Sequence, residues 1–231
     1  MPDDRHPVPP QRLSGFAREV LELLAGQPAA SAIVIGGGVA LSHYHEYRDT
    51  FDLNAWWATA PSVAATTLMA EAMSTVALRH GLSFTSRSWG ETLSLELLDG
   101  SRKVFSLQIA SRDRYLDGTL EAAWPPVRIE TLRDNVASKM TALVERSAPR
   151  DLQDIHELCR TGLVSAADCW DAYRAKHPSQ DPGAAAGKIL HAVERLEMRR
   201  PLATIEPEEA QRAAGETRRW YREVFCQKSF R

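Results

Sequence analysis

Apolar positions along the chain switch between two periods. Phe16, Val20, Leu23 and Leu24 fall at helical spacing and predict a helix from Leu13 to Leu24, closed by Gly26-Gln27-Pro28. Ser31 to Ile35 is a short apolar run rich in β-branched residues that enters Gly36-Gly37-Gly38 directly. That pattern predicts a buried strand running into a glycine turn. Val39, Ala40 and Leu41 open a helix to about Tyr47, and Phe51 to Trp57 reads as a second strand. Ser62, after Pro61, is placed to cap a helix reaching about His80. Leu82–Ser88, Thr92–Leu98 and Lys103–Ile109 are strand-like, with Asp99-Gly100 as a type I′ hairpin signal between the last two. Val127–Ile129 adds an edge segment after Pro125-Pro126.

From Leu132 the period is helical throughout. Val136, Met140, Leu143 and Val144 mark one helix, and Leu152, Ile155, Leu158 and Cys159 the next. Trp170, Tyr173, Ile189, Val193, Leu196, Trp220, Tyr221 and Phe225 imply several more, with His177–Gly183 as a linker. The predicted layout is a loose arm over residues 1–12, an α/β domain over 13–130 and a helical domain over 131–231 that completes its cleft. Strands followed by a run of helices argue for an α+β fold, not a doubly wound α/β sheet.

Composition narrows the function classes. The 231 residues carry 28 Lys plus Arg against 30 Asp plus Glu, a net charge of −2. Disordered, collagen-like and coiled-coil chains are thereby excluded, and so is a whole-protein electrostatic grip on nucleic acid. Cys159, Cys169 and Cys226 show no paired metal spacing and suit a reducing compartment. Residues 1–10 are polar and proline-rich, without the apolar core of a signal peptide. No apolar run approaches membrane-spanning length, so a cytoplasmic protein with no membrane partner is expected. Arg195, Arg199, Arg200, Arg212, Arg218, Arg219 and Arg222 form a basic cluster interleaved with acids, read as a solvated helix surface with i,i+4 pairs.

Three clusters carry candidate chemistry. Glycines at a strand-to-helix turn let backbone N–H groups approach phosphate. Asp52 and Asn54 would point the same way from the next strand, and two oxygen donors on one face can hold Mg²⁺ against phosphates. A triple glycine also serves as a bare tight turn, and a lone Asp as a cap. Lys139 lies within an apolar helical stripe between Val136 and Leu143. It is placed either to bind phosphate or to snorkel along the helix flank. Arg150-Asp151-Leu152-Gln153-Asp154 opens a helix for which Ser147 is the expected cap and Pro149 a first-turn residue. Its acids complement the helix dipole, and Asp151 also borders the buried side, where it could position Lys139 or Arg150.

Together these segments resemble the AbiEii-type toxins, nucleotidyltransferase-fold proteins of abortive-infection and type IV toxin–antitoxin systems in bacteria. The resemblance rests on Gly37-Gly38-Val39-Ala40-Leu41, Arg48-Asp49-Thr50-Phe51-Asp52-Leu53-Asn54, Val127-Arg128-Ile129-Glu130-Thr131-Leu132, Lys139 and Arg150-Asp151-Leu152-Gln153-Asp154-Ile155. It implies a nucleotidyltransferase-type small mixed sheet flanked by helices. It also implies transfer of a nucleoside monophosphate from an NTP, with Mg²⁺, to an RNA such as tRNA or to a protein. A separate DNA-binding antitoxin would be the cognate partner. On this resemblance Asp52, Lys139 and Asp151 are catalytic, and Asp52 and Asn54 hold the metal. Gly36, Gly37, Gly38, Arg48, Thr50, Lys139 and Arg150 bind the nucleotide.

The sequence departs from the family pattern at two carboxylates. Asn54 stands at the second position of an Asp-x-Asp motif, and Gln108 aligns with a further acid on a later strand. An amide brings no charge and cannot act as a general base. Glu96 on the neighbouring strand is a candidate substitute. Three readings follow: an active transferase toxin, a degenerate member that binds nucleotide, RNA or a partner protein without turnover, and an unrelated α+β domain whose glycines are purely structural. Trp56 and Trp57 are expected to pack beside the sheet, one in the core and one half-exposed, with stacking on a nucleobase as the alternative.

Overall fold

The structure, a computed structural model, describes residues 6–112 and 114–227. It divides into two compact units, one ending at Asn135 and the other beginning at Val136.

In the first unit, helix α1 (Gly15–Leu24) precedes strand β1 (Ile33–Gly36), helix α2 (Gly37–Ser42), strand β2 (Leu53–Trp57) and helix α3 (Val63–His80). Strands β3 (Ser83–Trp89), β4 (Thr92–Asp99), β5 (Arg102–Ala110), β6 (Thr119–Glu121) and β7 (Arg128–Glu130) follow, and helix α4 (Leu132–Glu145) begins. The strands form one seven-stranded mixed sheet in the order β3-β4-β5-β2-β1-β7-β6. β2 runs antiparallel to β1 and parallel to β5, while β7 runs parallel to β1.

Alternation along the central strands separates the sheet's two faces. Leu53, Ala55 and Trp57 of β2, Leu93, Leu95 and Leu97 of β4, and Phe105, Leu107 and Ile109 of β5 are buried. They form one core with Val20, Leu21 and Leu24 of α1 and Met69, Met73 and Val76 of α3. Residues between them, including Asn54, Trp56, Ser94, Glu96, Ser106 and Gln108, are intermediate or exposed. Period-two side-chain direction thus gives a sheet that is apolar against two helices and polar on the other side. α3 starts and stops where expected: Ser62 Oγ accepts from the Ala65 amide at 3.2 Å, and Gly81 closes the helix with φ 65°.

Several expectations need correction. The arm is tied down over part of its length: the Val8 amide donates to the His43 carbonyl at 2.9 Å, and just beyond the arm Leu13 bridges Thr50. The expected arm's first five residues lie outside the described ones. α2 ends at Ser42, not near Tyr47, because β2 is antiparallel to β1 and the chain must turn back to bring Asn54 beside Gly36. Val127–Ile129 is not an edge segment. β7 lies between β1 and β6, and β6 was not predicted because it is a short strand, Thr119–Glu121, with only one apolar residue. The β4–β5 turn centres on Gly100-Ser101, since Asp99 pairs with Arg102. Positive φ there falls on Gly100 alone, the type II′ pattern instead of type I′.

The second unit holds the rest of α4, then α5 (Pro149–Arg160), α6 (Ala166–Lys176), α7 (Pro182–Arg199), α8 (Glu208–Trp220) and a π-helical turn, Tyr221–Phe225. Its core gathers Trp170, Tyr173, Ile189, Val193, Tyr221 and Phe225. The Trp170 indole N–H donates to the Phe225 carbonyl at 3.1 Å, and the Tyr221 hydroxyl to the Leu152 carbonyl at 2.8 Å. Ser147 is not the cap of α5. It takes φ 47° at the end of α4, and its hydroxyl donates to the Leu143 carbonyl. The α5 N-terminus is instead satisfied by Asp151, whose carboxylate accepts from the Ala148 amide at 3.2 Å, with Pro149 in the first turn. Among the described residues no helix is long and apolar enough to cross a membrane.

Candidate functional site

The glycine turn and the polar sheet face meet in the first unit. Gly36 pairs with Asn54 across β1 and β2, Asn54 pairs with Gln108 across β2 and β5, and Gln108 pairs with Ser94 on β4. Paired residues in neighbouring strands point the same way. One row therefore sets the turn beside both amides that replace family carboxylates. Asp52 lies two residues before Asn54, and its Oδ1 accepts from Ser106 Oγ at 2.8 Å. Glu96 pairs with Ser106, so it shares this polar face, but its carboxylate lies 3.8 Å from Lys103 Nζ.

Each glycine of the turn is demanded by a different neighbour. A Cβ on Gly36 would lie 2.3 Å from Trp56 Nε1. Gly37 has φ 61°, and a Cβ there would lie 3.1 Å from Asn54 Cβ. On Gly38 it would lie 2.9 Å from Thr50 Cγ2 and 3.5 Å from an Arg48 guanidinium nitrogen. Thr50 is buried, and its hydroxyl has no hydrogen-bond partner in the structure. Arg48 Nε donates to the Tyr47 hydroxyl at 3.2 Å. The structure therefore brings Gly36, Gly37, Gly38, Arg48, Thr50, Asp52 and Asn54 together.

Beneath the turn lies an ionic cluster that sequence reasoning did not assign. Glu130, wholly buried at the end of β7, accepts from the Trp56 indole N–H and the Asn135 amide, both at 2.8 Å, and pairs with Arg112. Asn135 Nδ2 also donates to the Gly37 carbonyl at 3.0 Å, which ties the cluster to the turn. Arg112 reaches the Asp134 carbonyl at 3.0 Å and stands 4.8 Å from the Tyr115 ring centre. Burial pushes the Tyr115 hydroxyl up to about 12, so it stays neutral. These residues are scattered from 37 to 135 in sequence, so no local spacing announces them. The available signal was Thr131-x-x-Asp134, a helix-start pair in which the Asp134 amide donates to Thr131 Oγ1 at 3.1 Å. Trp57 is core and Trp56 is half-buried, as expected.

The remaining candidates lie in the second unit. Lys139 is buried, and its Nζ donates to Asp154 Oδ2 at 2.5 Å, so it does not snorkel to solvent. Its partner is Asp154, not Asp151. Asp151 takes a two-pronged contact from Arg146, at 2.8 and 2.9 Å. Hydrogen bonding to that carboxylate raises the Arg146 pKa above its ordinary value. Arg150 is exposed at the start of α5.

A family model described as nucleotidyl transferase AbiEii toxin, type IV toxin–antitoxin system, matches residues 21–223. The chain belongs to this AbiEii family. No curated protein matches the chain. The match spans both units and contains every candidate site residue named above. Within the AbiEii frame, the row beside the turn carries two amides, Asn54 and Gln108, with the Asp52 carboxylate two residues before Asn54. Among the described residues no three His, Cys, Asp or Glu side chains gather in a form that could hold a metal ion.

Proposed function

We propose that the polar sheet face beside the glycine turn binds an NTP. From there the protein transfers the nucleoside monophosphate to a hydroxyl of an RNA, tRNA in particular, or of a protein. The observation that supports this reading is the row Gly36–Asn54–Gln108 with Asp52 next to it. It sets backbone, one carboxylate and further oxygen donors on one accessible face. Thr50 Oγ1, buried without a partner beside Gly38, offers a hydroxyl to a phosphate oxygen, and Arg48 offers charge.

The donor set fits one Mg²⁺ shared with substrate phosphates, because Mg²⁺ is commonly held by one or two carboxylates plus phosphate oxygens. Asp52 and Asn54 would hold it, and when bound it would offset charge on the triphosphate. Ser106 keeps the Asp52 carboxylate oriented toward that face. The Glu130–Asn135 pair holds the Gly37 carbonyl, which fixes the turn before substrate arrives. For Lys139, Asp151 and Arg150 the support is their place in the family's motif order, and a separate antitoxin is the expected partner.

The purified chain is incubated with each labelled NTP, Mg²⁺ or Mn²⁺, and total tRNA. Label in RNA or protein that disappears in Asp52→Ala supports the proposal, and the labelled species names the acceptor. No transfer with any NTP counts against it. A second reading, nucleotide binding without turnover, is favoured by one observation: Asn54 and Gln108 are adjacent in register, where carboxylates would be needed. On that reading NTP raises the melting temperature without label transfer. Asn54→Asp with Gln108→Glu then improves Mg²⁺ binding by calorimetry.

A further inference from the structure

The second unit contains a pocket of about 230 Å³ remote in sequence from the glycine turn, and none of the chemistry above uses it. Leu152 of α5, Leu196 of α7, Ala214 of α8 and Ile205, which precedes α8, give it apolar walls, and Arg218 of α8 stands among them. Arg218 is only 4% exposed. Its Nη2 donates to the Arg200 carbonyl at 2.9 Å, while its Nη1 is buried with no hydrogen-bond partner. Glu197 is the acid whose field reaches it, and that carboxylate is paired with Arg222. Arg200 and Arg222 add further positive charge.

A buried guanidinium without a counter-charge is costly, and such groups are retained where something pairs with them. The place of Arg218 in an Arg-rich stretch interleaved with acids predicts a solvated surface. The structure instead folds it into an apolar wall. We infer that this pocket binds a small organic anion, a carboxylate on a short apolar body. The carboxylate would accept from the Arg218 guanidinium, whose Nη1 is unengaged. The apolar body would fill the space between Leu152, Leu196 and Ile205. Gln153, Arg200 and Thr217 complete the polar lining beside Arg218, but bare phosphate suits the site less, because it would leave Leu152, Leu196, Ile205 and Ala214 uncovered. The volume lies below the ~300–1,000 Å³ of pockets that bury drug-sized ligands, which sets the size class.

The test titrates the full chain with hexanoate, hexanol and inorganic phosphate at fixed ionic strength, followed by calorimetry and thermal shift. Hexanoate should bind about tenfold more tightly than hexanol or phosphate, the difference that one charged hydrogen-bonded pair supplies. Arg218→Met should bring hexanoate down to the hexanol level. Ala214→Leu fills the pocket without touching the charge and should abolish hexanoate binding, so the proposal stays testable even if Arg218→Met does not fold. Equal binding of phosphate and hexanoate, unchanged binding in Ala214→Leu, or no saturable hexanoate binding would each overturn it.

Discussion

Replacing Gly36 by alanine tests whether the turn, Trp56 and Glu130 act as one unit. Gly36 has φ −128°, an extended conformation open to any residue, so the cost is steric. The new Cβ would lie 2.3 Å from Trp56 Nε1, 3.0 Å from its Cδ1 and 3.1 Å from Glu130 Oε2. The indole must swing away, and its N–H then leaves the buried Glu130 carboxylate. Overpacking costs about 1–3 kcal/mol. Losing a hydrogen bond to a charged acceptor costs about 1.5–3 kcal/mol more. The sum, about 2.5–6 kcal/mol, is a large share of the ~5–15 kcal/mol that holds a domain folded. In a Trp56→Leu background both terms are already gone, and Gly36→Ala should cost only about 1 kcal/mol from the Glu130 contact. Urea denaturation of the four proteins in this cycle, followed by circular dichroism, gives a coupling of about 1.5–5 kcal/mol. Equal costs in the two backgrounds would refute the reasoning.

Asp154→Leu leaves the buried Lys139 ammonium unpaired and should destabilise by about 3–5 kcal/mol, while Lys139→Met/Asp154→Leu should cost less than the single change, by urea denaturation. Burial lowers the pKa of His43 and of His156 from the ordinary 6.5. For both, the unfolded chain takes up the proton first, so stability should fall as pH drops below about 6.5 and level off below the folded values. His43→Asn should flatten that slope, measured by thermal melts across the range. Burial pushes the Cys226 thiol up to about 12, leaving ~0.01% thiolate at pH 8, so native protein should react with a thiol reagent there only after unfolding.

The sheet was legible wherever one face is buried and the other is not. β2, β4 and β5 announce themselves by strict alternation, and α3 by Ser62 at one end and Gly81 at the other. The length of α2 was not legible, because antiparallel pairing decides it, not the apolar residues after the turn. β7 is short, and its place inside the sheet depends on a pairing with β1 that no local pattern encodes. Within the site, the order Gly37, Asp52, Asn54 could be read from spacing. The face of Glu96 could not, because it depends on register with Ser106. Lys139 was recognisable as a buried cation, but its partner was not. Asp151 and Asp154 lie within one helical turn of each other, and Arg146, only five residues before Asp151, claims the first. Glu130 and Asn135 were invisible as a pair with the turn because their contacts reach across about a hundred residues.

The central claim is that the glycine turn and the polar face of β2 and β5 form an NTP site. Calorimetric titration of wild type, Gly37→Val and Asp52→Ala with each NTP in the presence of Mg²⁺ tests it most directly. The account predicts one saturable site in the wild type, weakened at least about tenfold in both variants while circular dichroism stays native. Equal affinity in all three folded proteins, or no binding of any NTP to the wild type, would contradict it.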